Sequence, residues 1–180
     1  VPTGPAGFGG DWFEEQTVNS ILYRYSMIPS EVVLRDYNYR NPSLDLTAAA
    51  PVTGDGAGRF YEYGNHYKDA GQGQILAKIR AEELKCRQSL YLGGSDIRSL
   101  RSGYRYELDS HYRSDFNRAF LVTEVTHEAR QTLDLSGSAA LAMASYRNEF
   151  VSIPGDVPFR PARTTPKPRI TGTINAQVDA

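Results

Sequence analysis

Two short runs rich in tyrosine, isoleucine, leucine and valine lie between residues 18 and 40. β-branched and aromatic residues favour strands, and Pro29 separates the runs, so we expect one strand on each side of it. In residues 30–37 apolar and polar positions do not alternate strictly, which predicts partial burial on both faces of the second strand. Residues 48–58 hold four alanines and three glycines around Pro51 without a period, so we expect a loop there.

One helix is predicted from about residue 70 to residue 91. Asp69 suits its N-cap, because a carboxylate there accepts a hydrogen bond from a backbone amide of the first turn. The residues that share an apolar face at helical spacing are Ile75, Ile79, Cys86 and Leu90. Leu84 falls on the far face, so we expect the helix to be covered on more than one side. The pair Gly93–Gly94 is expected to end it.

Short strands separated by polar turns are predicted after the helix, over residues 104–108, 119–128 and 146–153. Residues 119–128 give the clearest signal, since strict alternation divides them between two faces. One face carries Leu121, Thr123, Val125 and His127, and the other carries Phe120, Val122, Glu124 and Thr126. The small residues of 137–145 predict a flexible insertion at a hairpin tip.

Prolines punctuate the last part of the chain, at Pro154, Pro158, Pro161, Pro166 and Pro168. Because proline interrupts helices and the middle of sheets, residues 154–169 are predicted to form an extended connector. Residues 170–180 are predicted to open a further domain, and residues 1–17 to be a linker or the frayed end of a preceding one. Residues 18–153 then form a strand-rich α+β unit, for which a small barrel carrying the one principal helix is an economical arrangement.

The composition argues against several classes of binding partner and of covalent or membrane structure. The 20 basic and 21 acidic residues give a formal charge of −1, so nothing predicts binding to nucleic acid or anionic lipid. The apolar runs are far shorter than the ~18 residues of a membrane-spanning helix. Cys86 is the single cysteine, which rules out a disulfide within the chain and fits folding in a reducing compartment.

Two glycine patterns resemble nucleotide-binding motifs, and both fail on inspection. Gly71 and Gly73 open the predicted helix, but Leu76 replaces the third glycine of a dinucleotide fingerprint and no buried strand precedes them. The glycines of residues 54–58 are not followed by the Gly-Lys-Ser/Thr of a phosphate loop. We therefore expect no cofactor, and interpret Gly71 and Gly73 as part of an ordinary first turn.

Candidate metal and catalytic groups are scattered. The three histidines, His66, His111 and His127, lack metal-ligand spacing, and Cys86 is expected to be a buried, inert thiol. Ser110 and His111 lie near Asp109 and Asp115, but no Gly-x-Ser-x-Gly elbow accompanies them.

Three further carboxylates have no predicted chemical partner. The sequence places no second group beside Asp45, Glu82 or Glu83, and the two glutamates are expected to be solvated helix residues. We therefore predict no catalytic, cofactor-binding or metal-binding residue. The chain's twelve tyrosines suit strand packing and protein–protein contacts alike, and the sequence does not separate these uses.

Four segments in order resemble the VgrG family. They are VVLRDYNYRNPSL at residues 32–44, ILAKIRAEEL at 75–84, DFNRAFLVTEVTH at 115–127, and a final stretch over 146–169 that begins YRNEF and continues through IP to VPFRPARTTPKPR. Each is weak alone, but their common order and spacing over residues 23–172 make the resemblance specific.

The resemblance implies a trimeric, non-enzymatic spike of a type VI secretion system. Its base would be similar to a contractile-phage tail hub, in which barrel-like domains form a short tube. The Pro-rich connector would lead into an OB-fold, of which residues 170–180 are the first strand, followed by a β-helical needle. Implied partners are two sister chains in a homotrimer, an Hcp-like tube ring and baseplate proteins. The implied location is the bacterial cytoplasm before firing, then the medium or a target cell.

Three alternatives remain open from the sequence. A phage or prophage baseplate hub would share the same base. An effector enzyme would need its catalytic domain elsewhere in a longer protein. A soluble binding module would be monomeric at full length.

Overall fold

The computed structural model describes residues 16–130, 145–166, 168 and 172–173. Predictions for residues 1–15, for the hairpin tip up to residue 144 and for nearly all of the strand at 170–180 lie outside these residues. The described elements in chain order are β1 (Val18–Tyr25), β2 (Glu31–Asp36), β3 (Leu46–Pro51), β4 (Arg59–Tyr63), α1 (Ala70–Lys85), β5 (Ser89–Ser95), β6 (Arg105–Glu107), a 3₁₀ turn (Ser114–Phe116), β7 (Ala119–Arg130) and β8 (Ser145–Pro154). The β-rich α+β plan with one principal helix is confirmed.

The larger sheet has five strands in the order β1-β5-β8-β7-β6, all in antiparallel pairs. One of its faces packs on an aromatic-rich core built from both the strands and the segment between β5 and β7. The buried members of that core are Val18, Tyr91, Ile97, Leu100, Leu108, Phe116, Phe120, Val122 and Phe150.

The smaller sheet has three strands in the order β3-β2-β4, with β2 antiparallel to β3 and parallel to β4. Helix α1 covers one face of it around a second core, whose buried members are Val32, Leu34, Leu46, Ala48, Ala50, Tyr67, Ala77 and Ala81. This helix-and-sheet module is inserted between the paired strands β1 and β5. Its two ends meet where the Ser26 amide donates to the Gln88 carbonyl at 2.9 Å.

The helix begins as predicted and ends earlier than predicted. The Asp69 side chain accepts a hydrogen bond from the Gln72 amide at 2.9 Å, which is the expected N-cap. However, α1 ends at Lys85, and the predicted last turn together with Gly93 and Gly94 belongs to β5. The two glycines are not a stop signal, because Gly93 lies directly against the ring of Phe150 on the neighbouring strand.

The predicted apolar face of α1 is wrong at Ile75, although Cys86 of the same predicted face is buried. Gly73, Ala77 and Ala81 are the residues that face the core, whereas Ile75 is 63% exposed. Small residues one turn apart let the helix approach the alanines of β3, and this close packing outweighs the larger side chain at position 75. Leu84, expected on the far face, packs against the same core.

Two strand predictions need correction. Residues 48–51, predicted as loop, lie in β3, where Leu46, Ala48 and Ala50 are buried and alternate with exposed positions. In β7 the alternation is broken by a bulge between Val122 and Glu124, so that Val125 rather than Glu124 packs against the core. A bulge adds one residue to its strand, and a single added residue moves all later side chains to the opposite face.

Candidate functional site

The described surface carries open strand edges rather than an enclosed cavity. β1 stands at the end of the five-stranded order, so within the described residues it is paired only with β5. Most of its residues are exposed, with Leu22 at 61% and Tyr25 at 46%. An open, partly apolar edge presents unpaired backbone groups and is a natural place for another strand or chain to bind.

A surface groove of about 570 Å³ runs along the three-stranded sheet and the loop after β2. Its lining includes Arg35, Tyr37, Tyr61 and Tyr63, and all three tyrosines are more than half exposed. In β4 the exposed positions alternate with half-buried Phe60 and Glu62. Tyrosine rings that combine an apolar body with a polar tip are typical of protein–protein contacts.

A chain of rings connects the large core to the surface. The ring centroids of Tyr23 and Tyr91 lie 4.9 Å apart, those of Tyr91 and Phe116 lie 5.4 Å apart, and His111 stacks between Phe116 and Tyr112. Burial raises the pKa of Tyr91. Tyr112 is 90% exposed at the outer end of this row, so the aromatic core extends to a solvated tip.

A polar network closes the junction between the two sheets. Asp55 accepts hydrogen bonds from the hydroxyls of Thr53 and Tyr25, and from Gln88 at 3.1 Å. These bonds, the Thr53 hydroxyl first, hold the pKa of Asp55 well below its usual range. Lys85, at the end of α1, donates to Thr53 at 3.0 Å and to Gln88 at 2.6 Å. The network joins the end of β1, the loop after β3 and the end of α1, so it has a structural role.

The residues weighed for nucleotide binding serve helix packing. A Cβ at Gly73 would lie 2.6 Å from the Tyr67 ring and 3.1 Å from the Ala48 Cβ. Glycine is therefore required there by the approach of α1 to its sheet, and not by a phosphate.

Three of the titratable groups considered from the sequence, His111, Asp115 and His127, bond to neighbours rather than to one another. His111 Nδ1 accepts from the Arg113 amide at 3.1 Å, while Asp115 is held by two bonds from the Arg113 guanidinium. His127 contacts the Tyr146 hydroxyl instead. Across the described ranges, no group of three or more His, Cys, Asp or Glu side chains is arranged to hold a metal ion.

Cys86 and Asp45 also have structural roles. The Cys86 thiol is buried at the end of α1, with Sγ 3.3 Å from the Glu83 carbonyl and 3.5 Å from the Arg160 carbonyl. Asp45 accepts from both the amide and the hydroxyl of Thr47, which fixes the turn before β3.

Glu82 and Glu83 are not the solvated residues that the sequence predicted. Their side chains are only 20% and 13% exposed. Arg160 reaches Glu82 at 2.8 Å, and Glu83 is approached by Arg80, Arg87 and Arg163. The segment after β8 therefore lies over α1, a contact that the sequence did not predict.

The family model described as "Phage tail baseplate hub (GPD)" matches residues 4–133. The chain belongs to this hub family. The match spans β1 to β7 and the inserted module, so most of the described fold is hub-family fold. The resemblance to VgrG proteins seen in the four sequence segments is confirmed as well.

Curated relatives of this hub-family chain include spike proteins. The type VI secretion system spike proteins VgrG4b and VgrG5 of Pseudomonas aeruginosa are 30% and 33% identical over 98% and 92% of this chain, and over 23% and 22% of their own lengths. The actin cross-linking toxin VgrG1 of Vibrio cholerae is 27% identical over 89% of this chain and 15% of its own length. The chain thus spans less than a quarter of each of these relatives.

Solved tail proteins share the fold. A tail protein from Neisseria meningitidis superposes with a TM-score of 0.52 at 10% identity, covering 78% of this chain and 40% of its own. The 43 kDa tail protein of prophage MuSo2 from Shewanella oneidensis gives a TM-score of 0.51 at 8% identity, covering 76% and 40%. No helix in the described part of the chain combines the length and apolar character needed to cross a bilayer.

The sequence missed the contact residues that link distant parts of this hub-family fold. Asp55 lies in residues 48–58, which the sequence predicts as a loop. Glu62 lies in β4, a strand that no pattern in the sequence predicts. Besides the nearby Thr53, Asp55 bonds to Tyr25 and Gln88, which lie 30 and 33 residues away in the chain. Arg163, the partner of Glu62, lies 101 residues away. Glu82–Glu83 and the arginines Arg160 and Arg163 are visible in the sequence as two charged groups of opposite sign. Nothing in the sequence indicates that these two groups lie near each other.

Proposed function

We propose that this chain forms part of the tube-like base of a trimeric, cell-puncturing spike of a type VI secretion system. The observation that carries the proposal is the alignment of nearly the whole chain with two proteins named as spike proteins of that system. The hub-family membership supports a structural rather than an enzymatic role.

The surface described above suits assembly around an axis. The edge of β1 and the tyrosine groove of the smaller sheet offer backbone groups and aromatic rings to neighbouring chains. We assign the homotrimer's sister chains to these surfaces, with an Hcp-like ring and baseplate proteins as partners along the axis. Residues 18–153 are the hub-like region, 154–169 the connector, and 170–180 the start of an OB-fold.

The location follows from the same proposal. The assembled spike would wait in the bacterial cytoplasm and leave it by type VI secretion. Catalysis, where a longer relative has any, would belong to a domain outside these residues.

Assembly is tested by the mass of the complete protein in solution. Analytical ultracentrifugation is expected to give three times the chain mass, and a monomer at micromolar concentration would refute the trimer. Leu22→Asp places a charge at the open edge of β1, whereas Ile75→Asp places one on α1 at nearly the same exposure. We expect the first variant to dissociate the trimer and the second to leave it intact.

Secretion separates the leading function from the phage alternative. Deleting the gene in a strain that fires its secretion system should abolish release of Hcp into the medium, and the wild-type gene should restore it. Undiminished Hcp release together with loss of intact phage tails would assign the chain to a phage baseplate hub instead.

A further inference from the structure

Residues 158–166, called the strap below, leave the five-stranded sheet and lie on the inserted module. The turn before the strap is fixed at the start of β7, where the Gly155 amide donates to the Ala119 carbonyl at 2.9 Å and Arg118 pairs with Asp156 at 2.7 Å. The strap itself adopts neither helix nor strand. It therefore begins at one unit of the fold and ends at the other.

Ion pairs to two elements hold the strap. Arg163 makes a two-pronged contact with Glu62 of β4, at 3.0 and 2.8 Å. Its backbone amide also donates to Glu83 of α1 at 3.2 Å. Three residues earlier, Arg160 donates to Glu82 of α1 at 2.8 Å. The Arg160 carbonyl in turn accepts from Arg87 at 3.5 Å.

Apolar burial does not explain this docking. Every residue from 158 to 166 is exposed, including Phe159 at 45%. By contrast, the side chains of Glu62, Glu82 and Glu83 are 17%, 20% and 13% exposed. The contact thus consists of surface arginines over sheltered carboxylates, and its strength is chiefly electrostatic.

Neutralisation of the sheltered carboxylates favours the docked strap. Glu82 and Glu83 are adjacent, and partly sheltered like charges repel one another unless cations neutralise them. Arg80 of α1 and Arg87, two residues after the helix ends, neutralise Glu83. The strap brings the arginines that pair with Glu62 and Glu82. The Glu62 side chain raises the pKa of Arg163, in agreement with a close, charge-assisted pair.

We propose that the strap is a releasable ionic catch that ties the chain leaving β8 to helix α1 and strand β4. When closed, it sets the direction in which the chain continues after residue 166. When screened by salt, it opens while both sheets stay folded, because neither core contains a strap residue. The catch is a property of one chain and does not depend on the trimer.

Distances between two spin labels test the catch directly. Lys78→Cys on the exposed side of α1 and Thr165→Cys in the strap provide the label sites. The full chain carries Cys86→Ser, which removes the native thiol and keeps a donor facing the Arg160 carbonyl. We expect one narrow distance distribution at low salt, with the labelled chain diluted in an excess of unlabelled chain so that distances between sister chains do not contribute. The Debye screening length falls from ~30 Å at 0.01 M salt to ~3 Å at 1 M, so the ion pairs weaken. The distance distribution should therefore broaden at high salt while the far-ultraviolet circular dichroism stays unchanged.

Charge variants identify the ion pairs that keep the strap docked. Removing one pair by Glu62→Gln or Glu82→Gln should raise the undocked fraction about five-fold at low salt. Glu128→Gln is the matched control, because it loses the pairs to Arg130 and Arg147 on the five-stranded sheet and leaves the strap untouched. Arg160→Glu should broaden the distribution, and adding Glu82→Arg should narrow it again.

Three results would overturn the catch. These are a broad distribution in the unmodified charge background at low salt, a narrow one that persists at 1 M salt, or a reversed pair that fails to narrow the Arg160→Glu distribution. The salt series needs no charge variant, so it decides the question even where a variant folds poorly.

Discussion

The close approach of Gly93 to Phe150 predicts a large effect from a single methyl group. A Cβ added to Gly93 would lie 2.2 Å from Cζ of the Phe150 ring, which is 2% exposed and directly opposite on β8. Carbon atoms normally approach to about 3.5–4.0 Å, so in Gly93→Ala the ring must move by roughly 1.5 Å. It cannot do so freely, because Tyr106 also packs against the ring, with centroids 5.6 Å apart.

The magnitude is a balance of two terms. Overpacking a core costs about 1–3 kcal/mol. Replacing glycine by alanine restricts the unfolded chain and returns about 0.4–1 kcal/mol. We therefore expect Gly93→Ala to lose about 1–2 kcal/mol of unfolding free energy, which lowers Tm by roughly 5 °C in a domain of this size.

Urea unfolding followed by circular dichroism provides the measurement, with Gly94→Ala as the matched control. A Cβ at Gly94 would lie 2.9 Å from the Ser20 hydroxyl, which can rotate away, and at an ordinary contact distance of 3.9 Å from the Asn148 carbonyl. The control should stay within about 0.5 kcal/mol of wild type. In a double-mutant cycle, Phe150→Leu should relieve part of the Gly93→Ala cost. Equal stability of the two alanine variants, or no coupling with position 150, would show that the ring contact does not limit packing.

Two further predictions concern the helix face and alkaline unfolding. Ala77→Leu should lower the unfolding free energy by about 2 kcal/mol, because residue 77 is fully buried against β3. The exposed change Ile75→Leu should stay within about 0.5 kcal/mol of wild type in the same urea experiment. A larger loss of stability in Ile75→Leu than in Ala77→Leu would contradict the assigned helix face. Burial raises the pKa of Tyr106 to about 12, so ionisation of its hydroxyl favours the unfolded state. The contribution of the neutral hydroxyl to the unfolding free energy, about 2–3 kcal/mol, is present below the unfolded pKa near 10 and is lost as the pH rises towards 12. In Tyr106→Phe, unfolding free energy measured between those pH values should fall less steeply, and an unchanged slope would show that Tyr106 is not responsible.

Local signals in the sequence predicted local structure well. The strands on either side of Pro29 and the N-cap at Asp69 depend on neighbours a few residues away, and the structure confirms both. The order of the four VgrG-like segments also predicted the family, since a pattern of motifs carries information that no single element carries.

The sequence failed where distant contacts decide the structure. Gly93–Gly94 has the composition of a helix stop, but the need to fit the Phe150 ring places it in a strand. The helix face followed large side chains, whereas Ala77 and its small neighbours allow the closest packing. The strap pairs Arg163 with Glu62 across 101 positions, a distance over which sequence spacing gives no geometric information.

The insertion of the helix-and-sheet module between β1 and β5 has a kinetic consequence. β1 can pair with β5 only after about 60 intervening residues have been drawn into a closed loop, which carries an entropic cost. In the module, by contrast, β2, β3 and α1 follow one another closely in the chain. We expect the module to acquire amide protection first and the β1–β5 ladder last, as pulse-labelling hydrogen exchange would reveal. An early-protected β1 would contradict that order. In a nascent chain, the exposed edge of the larger sheet would thus form only after the inserted module has folded. This delay limits premature association during synthesis.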